Sequence, residues 1–166
     1  MEEFPQQEYI VFYSPFYKDT QYGFGRIMEQ VGYWRKANQI HNWFVENIQD
    51  GIDDCCYHRE VTEEDLEKLL SICKKVYESC TMILGSIKTG KTYTENGWVD
   101  NVALGKVIID SSTAEELLPT TCGFFFGSTD YDEYYVEDIA NTIEIIQHVL
   151  DTTDFETQMV YYISSW

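Results

Sequence analysis

Residues 107–166 contain no lysine and no arginine. All eleven basic residues lie between Lys18 and Lys106. The last sixty residues carry twelve carboxylates: Asp110, Glu115, Glu116, Asp130, Asp132, Glu133, Glu137, Asp138, Glu144, Asp151, Asp154 and Glu156. Of the formal charge of −18, −12 therefore sits in that segment and −6 in the first 106 residues. A direct nucleic-acid binder presents a basic patch, and this distribution argues against that class. It fits solubility, a basic partner, or both.

Other signals are missing too. No apolar run approaches the roughly 18 residues that span a bilayer. The start, MEEFPQQEY, lacks the basic region and apolar stretch of a signal peptide. The expected location is a cytosol, away from membranes. There is no C-x-x-C pair. The five cysteines, Cys55, Cys56, Cys73, Cys80 and Cys122, are odd in number, so free thiols are the expectation. A zinc site built on Cys55, Cys56 and His58 lacks the usual ligand spacing. No G-x-S-x-G, no cysteine-nucleophile signature and no EF-hand pattern occurs. No metal and no cofactor is expected, and no internal repeat is visible.

What is present supports a single globular domain over residues 1–166. Hydrophobic residues make up 44% and aromatic residues 16%, enough for a compact core with an amphipathic surface. Residues 8–13, EYIVFY, predict a strand. Trp34, Ala37, His41, Phe44 and Ile48 recur at helical spacing and predict a helix from about Met28 or Val31 to Gln49, closed by Gly51. Thr62, followed by three acids, predicts the start of a second helix with the stripe Leu66, Leu69, Leu70, Cys73, Val76, Tyr77 and Cys80. Residues 82–112 read as an irregular, hairpin-like insert, with Asn96-Gly97 as its turn and KVIID as a short strand. Thr113 can cap a short helix that Pro119 stops. CGFFFGS reads as a buried strand or tight turn. Thr129 then caps a long helix with the stripe Tyr135, Ile139, Thr142 or Ile143, Ile146 and Leu150. Residues 155–164 alternate as a strand, the natural antiparallel partner of the first. The expected fold is α+β, three main helices on a small, largely antiparallel sheet.

One motif demands a test. GSIKTGKT, residues 85–92, fits the Walker A pattern, and Asp110 could stand for Walker B. A phosphate loop needs a buried strand before it and a helix starting at its lysine, so that the helix N-terminus faces the anion. Here an amphipathic helix precedes it, and TYTENGWVDN follows with an Asn-Gly turn. Asp110 also comes too early for a crossover. A P-loop NTPase is disfavoured, and the segment reads as a basic hairpin tip.

Three constellations could carry function. Trp34, Arg35, Asn38 and His41 could line a small-ligand pocket, although His41 reads first as a core histidine bonded to a buried partner. Asp50, Asp53 and Asp54 crowd a helix exit, read as solvated or, less simply, as metal ligands. Asp130, Tyr131, Asp132, Glu133, Tyr134, Glu137 and Asp138 interleave carboxylates and tyrosines. Acids in a first helical turn complement the macrodipole. A carboxylate and tyrosine run is also what a surface needs to pair with and stack on guanidinium groups.

The blocks GYWRKANQIHNWFVENIQDGIDDC and AEELLPTTCGFFFGSTDYDEYYVEDI, with the terminal YYISSW, resemble a family of small acidic proteins encoded by tailed bacteriophages and prophages. They cover about half the chain. GSIKTGKT lies outside them. The resemblance implies a phage product acting in a bacterial cytoplasm, a class rich in host-takeover and anti-defence factors, including inhibitors of nucleic-acid-binding immune complexes. It supplies no enzymatic activity. The leading expectation is an inhibitor, mimicking nucleic-acid charge, that docks its acidic, Tyr-rich surface on a basic host protein. The alternative is a small-molecule or nucleotide-binding protein that sequesters an immune signal. An enzyme using His41 and an Asp as acid and base ranks third.

Overall fold

The computed structural model describes residues 7–14, 27–54, 57–123 and 127–165, with residues 7–14 and 27 described by backbone alone. Helices and antiparallel sheets are mixed, as the α+β expectation required. There are four helices among the described residues rather than three, and two sheets rather than one.

The first sheet has four strands in the order β2-β1-β6-β3: β1 (Gln7–Ser14), β2 (Ile27–Trp34), β3 (Arg59–Val61) and β6 (Met159–Ser165). The first and last strands pair antiparallel, Tyr9 opposite Ile163 and Val11 opposite Tyr161, as their sequences predicted. Alternation along β6 buries Val160, Tyr162 and Ser164.

The helix expected from Met28 or Val31 begins only at Asn38. Residues 27–34 form β2, paired antiparallel with β1 from Glu8 opposite Trp34 to Ser14 opposite Ile27. Trp34 and Ala37 are both buried, so their spacing imitates a helix although the chain turns between them. The turn is set by Lys36, whose φ of 63° ends the strand in the left-handed region. α1 (Asn38–Ile48) is buried on most sides, including Asn38, Gln39, Ile40, His41, Trp43, Phe44 and Val45. Its C-cap is Gln49 rather than Gly51, and Asp50 and Gly51 both follow in the left-handed region.

α2 (Glu63–Ser79) starts where expected. Thr62 and Asp65 form a reciprocal capping box, and Leu66, Leu69, Cys73 and Val76 are buried. Tyr77, expected on the stripe, is largely exposed. Burial pushes the Cys73 thiol up to about 12, which keeps it an inert core group.

The insert is regular, not irregular. β4 (Met82–Thr94) and β5 (Gly97–Ile108) form a two-stranded ribbon, with a register shift between Lys88 and Gly90. Glu95 and Asn96 turn the chain without positive φ, and Gly97 takes the left-handed geometry at φ 105°. The Asn-Gly signal thus marks the turn but sits one position late for the type I′ form. GSIKTGKT lies wholly inside β4. No helix follows it, so the phosphate-loop geometry is absent, and Asp110 accepts from the Ser112 amide at the start of α3 (Ser112–Leu117).

α3 starts after Ser111, not Thr113. α4 (Glu133–Thr152) is capped by Asp132, not Thr129: the carboxylate accepts from the Tyr134 and Tyr135 amides at 3.0 and 3.3 Å. Its buried stripe is Tyr135, Ile139, Thr142, Ile146 and Val149. α2 and α4 close over one core with α1, where Phe44 stacks on Tyr162 at 3.9 Å. Cys122 and Gly123 of CGFFFGS are exposed and outside any strand, while residues 124–126 lie outside the described residues.

Candidate functional site

The expected ligand pocket of Trp34, Arg35, Asn38 and His41 does not form as one site. His41 is 2% exposed and held from both sides. Its Nδ1 is 2.7 Å from the Tyr162 hydroxyl and its Nε2 is 3.2 Å from Asp53 Oδ2. That is the core reading of this histidine, and it also assigns Asp53. Asp54 pairs with Arg59, so two carboxylates of the Asp50–Asp54 loop are used internally. Trp34 donates from Nε1 to Thr142 Oγ1 at 2.8 Å and ties β2 to α4.

Asn38 has a different role. Buried at the start of α1, it donates to the Ser128 carbonyl at 3.0 Å and accepts from the Thr121 amide at 2.8 Å. One side chain thereby fastens residues 121 and 128 to the start of α1. Gly127 comes so close that a Cβ on it would lie 3.0 Å from the Lys36 carbonyl. Only glycine fits there without displacing backbone. We call this contact the Lys36–Gly127 seam.

A cleft opens on each side of the seam, and both are lined by Lys36, Gly127 and Ser128. The first, of about 280 Å³, gathers Asp130, Asp132, Tyr134, Glu137 and Asp138 with Arg35. Five of the seven acidic-run residues thus share one concavity. The other two are elsewhere. Tyr131 accepts from the Thr120 amide at 3.3 Å, and Glu133 accepts from the Lys106 amide at 2.9 Å. They fasten the start of α4 to the ribbon and to the loop before it.

The electrostatics of this cleft are unbalanced. Four carboxylates face two cations. Asp132 is 1% exposed, and its Oδ2 has no hydrogen-bond partner among the described residues. Burial holds its pKa above the usual carboxylate value, against the pull of the Tyr135 and Tyr134 amides. Asp138 accepts from Gln39 Nε2 at 3.2 Å, yet burial pushes its pKa up to about 6, with help from Glu137 and Asp132. Desolvated carboxylates short of donors are suited to a cation that brings several N–H groups.

The second cleft, of about 640 Å³, joins Lys36 to Lys88, Lys91 and Asp100 of the ribbon, with Thr89 and Thr129 on its walls. Sequence reasoning placed Lys88 and Lys91 on a tip and Lys36 in a helix, and nothing in their spacing showed that they converge. Gln39 was missed as well, because its burial depends on α4 lying beside it.

Among the described residues, no group of three or more His, Cys, Asp or Glu side chains could hold a metal ion. The proposed zinc partners Cys55 and Cys56 lie outside those residues, and His58 packs edge-on against Tyr161. No described helix is long and apolar enough to cross a membrane. No family model matches the chain, and neither does any curated protein or solved structure.

Proposed function

We propose that this chain is a phage-encoded host-takeover or anti-defence protein that binds a basic host protein, working in the bacterial cytoplasm by docking rather than by catalysis. Convergence of Asp130, Asp132, Tyr134, Glu137 and Asp138 on one cleft carries the reading. The cleft is small for a metabolite, since ligand sites commonly span about 300–1,000 Å³. Its size suits one inserted side chain. Arginine is the side chain whose planar fork can use the spare acceptor of Asp132 and both oxygens of Asp138, while Tyr134 offers a ring for stacking.

The rest of α4 supports the same reading. Tyr134, Glu137, Asn141, Glu144, His148 and Asp151 are exposed and follow steps of three and four, so they share one face. Glu137, Glu144 and Asp151 stand about 10 Å apart along it. Such a ridge repeats negative charge at regular spacing beyond the cleft, as a surface that competes with nucleic acid for a basic groove requires.

The test is capture from host lysate, followed by affinity measurements on the recovered protein. Binding should weaken steeply with salt. It should tighten as pH rises through about 6, where Asp138 ionises. Glu137→Lys, an exposed change, should weaken it about tenfold or more with the fold intact. A partner whose affinity ignores salt, pH and this substitution would remove the proposal.

A further inference from the structure

The ribbon and the residues around Gly127 build a second recognition site, which adjoins the first across the seam. Only nine of the described residues are Lys or Arg, and three of them, Lys36, Lys88 and Lys91, line the larger cleft. One carboxylate, Asp100, lines it with them, at 3.9 Å from both Lys88 and Lys91. Lys88 also meets Asp130 at 3.0 Å on the far side. Counting both carboxylates, three lysines meet two acids, a local excess of cations in a chain of net charge −18. Low-dielectric walls focus such an excess.

The walls fit an oxyanion. Ser128 and Thr129 bring hydroxyl groups, while the Thr89 hydroxyl already donates to the Asn101 carbonyl at 3.3 Å, and Gly90 and Gly123 bring backbone without side chains. The site is also held in place. Lys36 takes the left-handed conformation, unfavourable for a residue with a Cβ, with Gly127 packed against its carbonyl and Asn38 bonded to residues 121 and 128 beside it.

An aromatic platform adjoins it. Cross-strand partners share a face of the ribbon. Lys91 pairs with Asp100, and Tyr93 pairs with Trp98 two residues further out on the same face. That is a step of roughly 7 Å. Trp98 is 69% exposed and Tyr93 70%, their rings edge-on at 5.3 Å. Large aromatic side chains left in water beside a basic cleft are what a base needs for stacking.

We propose that this cleft binds a nucleotide, its phosphates between Lys36, Lys88 and Lys91 and its base against Trp98 and Tyr93. The lysines of GSIKTGKT then meet phosphate after all, by side-chain charge on a β-ribbon rather than by a loop wrapped around the anion. No hydrolysis is implied.

Titration calorimetry with ATP, pyrophosphate and adenosine as probes tests this on the whole chain. ATP should bind more tightly than pyrophosphate, and adenosine should bind weakest. The double variant Lys36→Ala/Lys91→Ala should weaken ATP binding at least tenfold. Trp98→Ala should bring ATP down to the level of pyrophosphate. Lys106→Ala, outside the cleft, should change nothing. Thermal melts establish that each variant folds. Failure of all three probes to bind at millimolar concentration overturns the proposal, as does ATP binding that survives the double lysine change. Equal affinity for ATP and pyrophosphate overturns the stacking half. None of these outcomes bears on the acidic cleft, whose test uses a protein partner.

Discussion

The two clefts share Lys36, Gly127 and Ser128, yet one is acidic and the other basic. The acidic cleft takes all four of its carboxylates from positions 130–138, just before and within the first turns of one helix, so its negative charge comes from local sequence. The basic cleft draws its lysines from positions 36, 88 and 91, so its charge comes from topology. Their carboxylates and ammonium groups also differ in state. Desolvation strains the acids, whereas Lys88 is stabilised by its hydrogen bond to Asp130 and by the charge of that residue. A side chain already satisfied from within offers less to a ligand than one left short of donors. The contrast ranks Asp132 and Asp138 above Lys88 as recognition groups, and leaves Lys36 and Lys91 as the freer cations.

The seam is where both clefts can be broken together. Asn38→Ala removes two hydrogen bonds and orphans the Thr121 amide, at a cost of about 2–3 kcal/mol. Denaturant melts should show that loss, and both binding activities should fall in the same variant. If one survives intact, its cleft does not depend on the loop.

Asp132→Ala separates the two. It deletes the α4 N-cap and should cost about 1–2 kcal/mol in the same melts. Binding to the basic partner should be lost while ATP binding remains.

Asp138→Asn sharpens the electrostatic contrast. The folded carboxyl has its pKa raised above the unfolded value, so the protonated form is the stabilising one. That contribution is complete below the unfolded pKa and is lost as pH rises through about 6. The amide variant should therefore be more stable than the parent by about 2–3 kcal/mol at pH 7.5 and equal to it near pH 3. Melts across that range check the sign; a variant less stable at pH 7.5 contradicts it.

Lys36→Gly has the smallest expected effect on stability and the most informative sign. Glycine accepts φ 63° at no steric cost, so the fold should gain roughly 0.5–1 kcal/mol. ATP affinity should drop at the same time. Stability and binding moving in opposite directions would mark Lys36 as strained for use.

Much of the framework was legible. The N-cap at Thr62 and the stripe of α2 follow from short-range rules, and the first and last strands pair as their alternation suggested. The error at residues 28–37 has a clear source. Periodicity records which residues are buried but not the path of the backbone between them, and Trp34 ends a strand while Ala37 caps the following helix. The ribbon was under-read because its apolar residues, such as Leu84, Val102 and Leu104, stand exposed and give no one-sided pattern.

By itself, the sequence determined the charge asymmetry, the acidic start of α4 and the kinds of element available, because these depend on residues near one another in the chain. Only the tertiary structure decided where the charge acts. Asn38 reaches residues 121 and 128, half the chain away, and Lys36 shares a cleft with Lys88 and Lys91, more than fifty residues on. No local propensity encodes such contacts, since they exist only once the strands, helices and loop have packed around one core.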